Sequence, residues 1–236
     1  MRIGIICAIP NELRYFNLNE NPIQKIGERT FYKGPHDKHE LILVQSGIGK
    51  VNAAVVWTLL IEKFDCEFLL FSGVAGGIDP GIELGEVIIG DSLIQYDYGT
   101  LKNRGILPFR PGSIPTGESK NEIEYRLAPK IKRKIKALLP NVRMGKILTG
   151  DVYLVCEETQ KELFEKYGAQ AIDMEGAAVA QVAEQFRIPS VVVRCLSDLA
   201  GADSQKLSSK FLNMAAKRSF NTAQRILKVL LWNKFI

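Results

Sequence analysis

Two acidic blocks, Ile172-Asp173-Met174-Glu175-Gly176-Ala177-Ala178 and Arg194-Cys195-Leu196-Ser197-Asp198, are the segments of this chain best equipped for chemistry. Each sets a carboxylate at the end of an apolar, β-rich run, the place where open α/β sheets carry their ligands. Glu12 and Asp151 are further carboxylates in comparable positions. Each has a structural alternative. Glu12 follows a Pro10-Asn11 turn and can complement the dipole at the start of a helix, as can Glu175 before its run of small apolar residues. Asp198 can be an N-cap. Together, several strand-end carboxylates suit a hydrolysis in which one activates water and another, held protonated by its surroundings, donates a proton.

Other chemistries find little support. His36 and His39 are the only histidines, and an HxxH pair in a polar, hairpin-like stretch without an accompanying Cys or carboxylate pattern is a weak metal signal that reads better as exposed loop histidines. No third histidine exists to serve as base in Ser-His-Asp or Cys-His catalysis. Ser46-Gly47-Ile48-Gly49-Lys50 has a phosphate-loop flavour, but Asn52 breaks the Rossmann pattern and Val51 breaks the Walker pattern. What remains is a strand-to-helix turn of small residues, where backbone amides can approach a ligand. Ser72-Gly73-Val74-Ala75-Gly76-Gly77 reads as a second glycine-rich turn, directly after a buried strand.

The elements that must position these residues alternate in type. Strands are predicted over Arg2 to Ala8, Thr30 to Lys33, Glu40 to Gln45, Phe68 to Ser72, Glu86 to Ile94, Val142 to Thr149, Ala171 to Met174 and Ser190 to Leu196. Helices are predicted over Val51 to Phe64, Glu158 to Tyr167, Gly176 to Phe186 and about Ser204 to Leu231. The Gly-, Pro- and polar-rich stretch from Tyr96 to Glu122 reads as one long loop, of the kind that often serves as a lid. This mostly βαβ order predicts an α/β fold of three layers, a twisted, largely parallel or mixed sheet with helices on both faces, in one domain spanning residues 1–236.

Composition fits an ordinary globular chain: 236 residues, 46% hydrophobic and 24% charged. The net charge of +5 is densest at Lys130-Ile131-Lys132-Arg133-Lys134-Ile135-Lys136. Leu127, Ile131, Ile135 and Leu138 recur there at helical spacing, so the lysines form the wet face of an amphipathic helix and no nucleic-acid partner is implied. The apolar run Ile3 to Pro10 is too short for a signal peptide, and no run approaches the about twenty residues that span a bilayer. Cys7, Cys66, Cys156 and Cys195 are dispersed without a CxxC pair, which fits reduced thiols and a cytoplasmic location.

In order along the chain, the blocks IGIICAIPNEL, SGIGKVNAA, FSGVAGG, TGDVYL, IDMEGAAVAQVA and VVVRCLSDLA resemble the purine nucleoside phosphorylase and nucleosidase superfamily, and within it the 5'-methylthioadenosine/S-adenosylhomocysteine nucleosidases. The similarity runs from Met1 to about Leu230 and implies a nucleoside phosphorylase-like fold, no metal or organic cofactor, and a homodimer acting on a small nucleoside. By matching position it implies that Glu12 activates water and that Asp198, positioned by Ser197, protonates adenine N7. Glu175, with Met174 beneath the sugar, would bind the ribose hydroxyls. Tyr153 and Leu154 would hold the purine by ring contact and backbone hydrogen bonds, Ile9 and Ile48 would lie near the water and 5' side, and Val74 would complete the substrate-binding set. Protonating the departing base and placing a carboxylate under a cationic ribosyl transition state both lower the barrier.

The resemblance leaves alternatives: a phosphorolytic purine nucleoside phosphorylase, a nucleosidase for another 5'-substituted nucleoside such as aminofutalosine, or a non-catalytic nucleoside-binding protein. Phosphate demands cationic or amide donors. The family's phosphorylases supply arginines from the first-strand turn and from just before the SGVAGG-like turn, whereas this chain has none in Ala8 to Glu12 or Leu69 to Ser72. Water is therefore the expected nucleophile. Leu207-Ser208 stands where the family commonly places an aromatic against the 5'-thio group, so the 5' pocket is expected to be less strictly apolar.

Overall fold

Residues that are apolar at every position make the middle of the sheet, because both faces of its strands are covered. In the computed structural model, which describes residues 1–16, 22–36, 39–102, 105–117, 122–201 and 209–230, strands β1 (Arg2–Cys7), β5 (Phe68–Gly77) and β12 (Ser190–Asp198) lie side by side and parallel. Ile3, Ile5, Leu70, Val191 and Val193 point to one face, where Ala223, Ile226 and Leu227 of helix α6 (Ser209–Leu230) cover them. Ile6, Leu69, Phe71, Val192 and Leu196 point to the other, against α2 (Lys50–Glu62) and α5 (Gly176–Phe186). The period-two alternation of each strand thus supplies two cores, one per face.

Outward from β1 the sheet continues through β4 (His39–Gln45), β3 (Arg29–His36) and β2 (Pro22–Ile26). On the other side β12 pairs antiparallel with β6 (Val87–Gln95), then come β10 (Arg143–Thr149) and β11 (Ala171–Asp173), with the short β9 (Tyr125–Arg126) also on β6. β11 returns to pair antiparallel with the end of β5, through Ala171 with Gly77 and Ile172 with Gly76. Five strands, β5, β12, β6, β10 and β11, therefore close on one another. The fold is the expected mixed sheet between helical layers, with α1 (Pro10–Leu13) and α3 (Pro129–Leu138) on the α6 side and α4 (Glu157–Tyr167) beside β11.

Several local expectations change. Gly73 to Gly77 does not turn but continues β5, since β12 on one side and β11 on the other occupy its backbone groups. The stretch from Tyr96 to Glu122 is not one loop: β7 (Gly99–Lys102) and β8 (Gly105–Pro108) form a hairpin apart from the main sheet. His36 and His39 pair across the end of β3 and β4, and His39 is half-buried in a strand instead of exposed in a loop. At the end of α3, Leu138 is exposed and Leu139 takes the buried place, because Leu139 continues the four-residue spacing of Leu127, Ile131 and Ile135. Its lysines do face solvent or half-buried carboxylates. The final helix agrees with the expectation over Ser209–Leu230; Leu207-Ser208 lies outside the described residues. Cys7, Cys66 and Cys195 are buried and all four cysteines are free. Among the described residues no helix is long and apolar enough to cross a membrane.

Candidate active site

A cavity of about 270 Å³ opens where the C-terminal ends of β1, β5, β11 and β12 meet, lined by Ala8, Ile9, Glu12, Ile48, Val74, Ala75, Gly76, Tyr153, Ile172, Asp173, Met174, Glu175, Ser197, Asp198 and Leu212. Parallel neighbours deliver several chain ends to one place, which is why residues far apart in sequence converge there. Larger depressions elsewhere, of about 730 Å³ between α2 and α5 and about 430 Å³ near β9, hold no comparable group of carboxylates.

Glu12 enters from the one-turn helix α1. It is 3% exposed, and three backbone N–H groups donate to it: Ala8 at 2.7 Å and Ile9 at 3.2 Å to Oε2, and Val74 at 2.9 Å to Oε1. The acid does complement a helix start, and the same geometry turns it into the cavity. Burial pushes its pKa up, against the charge of Arg194 and the three amides. Gly73 makes the approach possible, since a Cβ there would stand 2.5 Å from Arg194 Nη1 and 2.7 Å from Glu12 Oε1.

Asp198 owes its direction to a bulge. β12 pairs Leu196 with Ala75 and Asp198 with Gly76, leaving Ser197 as the extra residue. Such an insertion bends a strand and re-aims the next side chain. Ser197 Oγ lies 3.0 Å from Asp198 Oδ2, and the Ala200 N–H donates to Oδ1 at 2.9 Å. Burial raises the Asp198 pKa, and these two hydrogen bonds oppose it. The protonated form is thereby favoured relative to an exposed aspartate.

Glu175 stands just before α5 and accepts from Gly49 N at 2.9 Å. Gly49 precedes α2 at φ +101, a conformation that suits glycine, so the small residues of the Ser46 to Lys50 turn do bring an amide to the site. Burial pushes Glu175 up to about 7, opposed first by Arg194, while Asp173 and Glu12 add to the rise.

Arg194 and Asp173 are the participants that the sequence reading left without a role. Arg194 is fully buried, its Nε 2.7 Å from Asp173 Oδ2 and its Nη2 3.4 Å from Glu175 Oε2, with the guanidinium 3.8 Å above the Phe71 ring. Its Nη1 has no protein hydrogen-bond partner. Burial opposes its charge, but Asp173, Glu175 and Glu12 outweigh that and raise its pKa. The available signal was a lone arginine inside Val191-Val192-Val193-Arg194-Cys195-Leu196, because a charge in a buried strand demands a partner. Of the residues without an expected role, Asp173 and Leu212 of α6 line the cavity, and Arg194 lies behind them.

Of the residues singled out from sequence, Ile9, Glu12, Ile48, Val74, Tyr153, Met174, Glu175, Ser197 and Asp198 line the one cavity. Leu154 does not: its side chain packs in the cluster with Leu163 and Ile172. Asp151 also stays outside, accepting from Lys50 N at 2.9 Å. Among the described residues no group of three or more His, Cys, Asp or Glu is placed to hold a metal ion.

Comparisons with known proteins cover nearly the full length of the chain. The Phosphorylase superfamily matches residues 2–228. The 5'-methylthioadenosine/S-adenosylhomocysteine nucleosidase of Mycobacterium bovis is 38% identical over 97% of each chain. The aminodeoxyfutalosine nucleosidase of Campylobacter jejuni is 34% identical, covering 94% of this chain and 96% of its own. The solved 5'-methylthioadenosine/S-adenosylhomocysteine nucleosidase from S. pneumoniae, with a transition-state inhibitor, superposes with a TM-score of 0.84 at 30% identity, over 98% of this chain and 100% of that one.

Proposed function

The chain belongs to the phosphorylase superfamily, and from that premise we propose that it is a nucleosidase, hydrolysing the N-glycosidic bond of 5'-methylthioadenosine and S-adenosylhomocysteine to release adenine. The observation that carries this reading is the presence on one cavity of two buried carboxylates, Glu12 and Asp198, whose pKa values are both raised by burial. Protonated Asp198, held by Ser197 and the Ala200 amide, gives its proton to adenine N7 as the C1'–N9 bond breaks. Ionised Glu12 takes a proton from water as the water oxygen bonds to C1'. Glu175 receives the ribose hydroxyls, with Met174 under the sugar, and Tyr153 lies against the base. Protonating the leaving group and stabilising the cationic sugar are charge effects that a water-poor cavity strengthens.

Hydrolysis is favoured over phosphorolysis because no lysine or arginine is among the described residues lining the cavity, and the nearby Arg194 is engaged by Asp173 and Glu175. The test is incubation with methylthioadenosine, adenosylhomocysteine, adenosine and inosine, with and without phosphate. Free 5-methylthioribose from methylthioadenosine in both arms supports the reading; a phosphate requirement with the sugar 1-phosphate as product overturns it. The identity to the Campylobacter jejuni enzyme makes aminodeoxyfutalosine a second substrate for the same assay.

A homodimer fits the groove between α2 and α5, where Val51 is 73% and Val55 53% exposed, more apolar surface than a helix facing solvent needs. Light scattering on the purified protein tests it, a monomeric mass counting against. Three buried, unpaired cysteines fit a reducing cytoplasm.

A further inference from the structure

Neither Asp151 nor the ion pair beside it touches the cavity, yet they join two of its walls. Asp151 Oδ1 accepts from Lys50 N at 2.9 Å, at the first residue of α2, whose own N-cap is Gly49 with no side chain to offer. Lys50 Nζ reaches Asp97 Oδ1 at 2.6 Å and Asp151 Oδ2 at 3.6 Å. The Asp151 N–H donates to Asp97 Oδ2 at 2.9 Å. Helix α2 is thus capped by a residue from the segment that leads to Tyr153. The neighbouring Gly49 N–H, one residue before that cap, is the donor to Glu175 Oε1.

We propose that Asp151 is a positioning residue for the reaction: by capping α2 from outside it fixes the Gly49 amide on Glu175, and so fixes the carboxylate that receives the ribose. This rests on the nucleosidase reading above. Its essential atom is Oδ1, the acceptor for Lys50 N. The charge of Asp151 matters less, because its side chain is 49% exposed and its contact to Lys50 Nζ is long, so water screens the pair. Lys50 and Asp97, both largely shielded, hold the segment from the other side.

The test compares Asp151→Ala and Asp151→Asn with wild type on methylthioadenosine and on its 2',3'-dideoxy analogue, which has no ribose hydroxyls for Glu175 to hold. A lost helix cap is typically worth a factor of about five in an equilibrium. Asp151→Ala should accordingly lower kcat/KM for methylthioadenosine about fivefold while leaving the dideoxy analogue within about twofold of wild type. Asp151→Asn keeps the acceptor and should restore wild-type kcat/KM. Equal losses on both substrates, or no loss on methylthioadenosine, overturn the positioning role, as does Asp151→Asn behaving like Asp151→Ala. A wild-type protein that releases no adenine overturns the nucleosidase reading and this role with it, an outcome visible before any variant is made.

Discussion

Replacing Asp198 by Asn separates chemistry from structure, because the site accommodates an amide at every contact. Asn Oδ1 can accept from Ala200 N, as Asp198 Oδ1 does at 2.9 Å, and its Nδ2 can donate to Ser197 Oγ, which stands 3.0 Å from Oδ2 and can pass its own hydrogen toward the Ala75 carbonyl at 3.4 Å. The fold therefore loses nothing. Stability should move the other way: a carboxyl whose folded-state pKa is raised stabilises the fold below its unfolded pKa and loses that advantage as pH rises through the folded value. Asparagine has no such loss, so the melting temperature at neutral pH should equal or exceed that of wild type. Turnover should collapse, since an amide cannot deliver the N7 proton. General acids contribute about 10²–10⁴-fold, or about 2.7–5.4 kcal/mol in the barrier. The assay is adenine release at saturating methylthioadenosine, beside thermal melts of both proteins. A folded variant with near-wild-type turnover would refute the acid role and the reasoning built on the bulge.

Glu12→Gln should slow hydrolysis by a similar about 10²–10⁴-fold while adenine still binds, measured by calorimetry; lost binding would make Glu12 a structural cap and no more. Arg194→Met strands Asp173, Glu175 and Glu12 in the core, and breaking a buried pair costs about 3–5 kcal/mol. At about 2–4 °C per kcal/mol for a chain of this size the melting temperature should fall by about 6–20 °C, and a drop within 2 °C, read by calorimetry, would mean that the pairing carries little. In a profile of kcat/KM against pH, the rate should fall at low pH as Glu12 protonates and at high pH as Asp198 ionises, both limbs displaced upward from the range in which exposed carboxylates titrate. A rate that keeps climbing with pH through that range and beyond would remove Asp198 as the acid.

The sheet was legible because its central strands are apolar on both faces and its helices alternate with them. Where composition misled, the backbone pairing was non-local. Gly73 to Gly77 has the look of a turn, and it is the pairing with β12 through Gly76 and with β11 at Gly76 and Gly77 that makes it a strand. The hairpin of β7 and β8 is four residues a side and pairs with itself, so glycine and proline dominated its signal. The two-residue β9 and the edge strand β2 carry almost no pattern of their own.

The site divides along the same line. Glu12, Glu175 and Asp198 announced themselves as carboxylates at strand ends, but their protonation depends on what the fold puts beside them. Arg194 is the pivot: one guanidinium faces Asp173 and Glu175 directly and Glu12 across the Gly73 gap, and so sits among three carboxylates, while Asp198 has no cation among the causes of its shift. The cavity is thereby asymmetric in charge. On the Arg194 side a nearby cation favours the ionised form needed in a base and in a partner for a cationic sugar. On the far side, behind the bulge at Ser197, burial alone favours the protonated form needed in an acid. Two carboxylates with opposite duties need different environments, and here the difference is that Arg194 acts on Glu12 while only the Ser197 hydroxyl and the Ala200 amide act on Asp198. Glu12 is also raised by burial, and the Arg194 charge and the three amides are what hold that rise in check. This links the two variants above: Arg194→Met should move the low-pH limb of the rate profile upward along with lowering stability, and a limb that stays in place would leave the three amides as the sole control of Glu12.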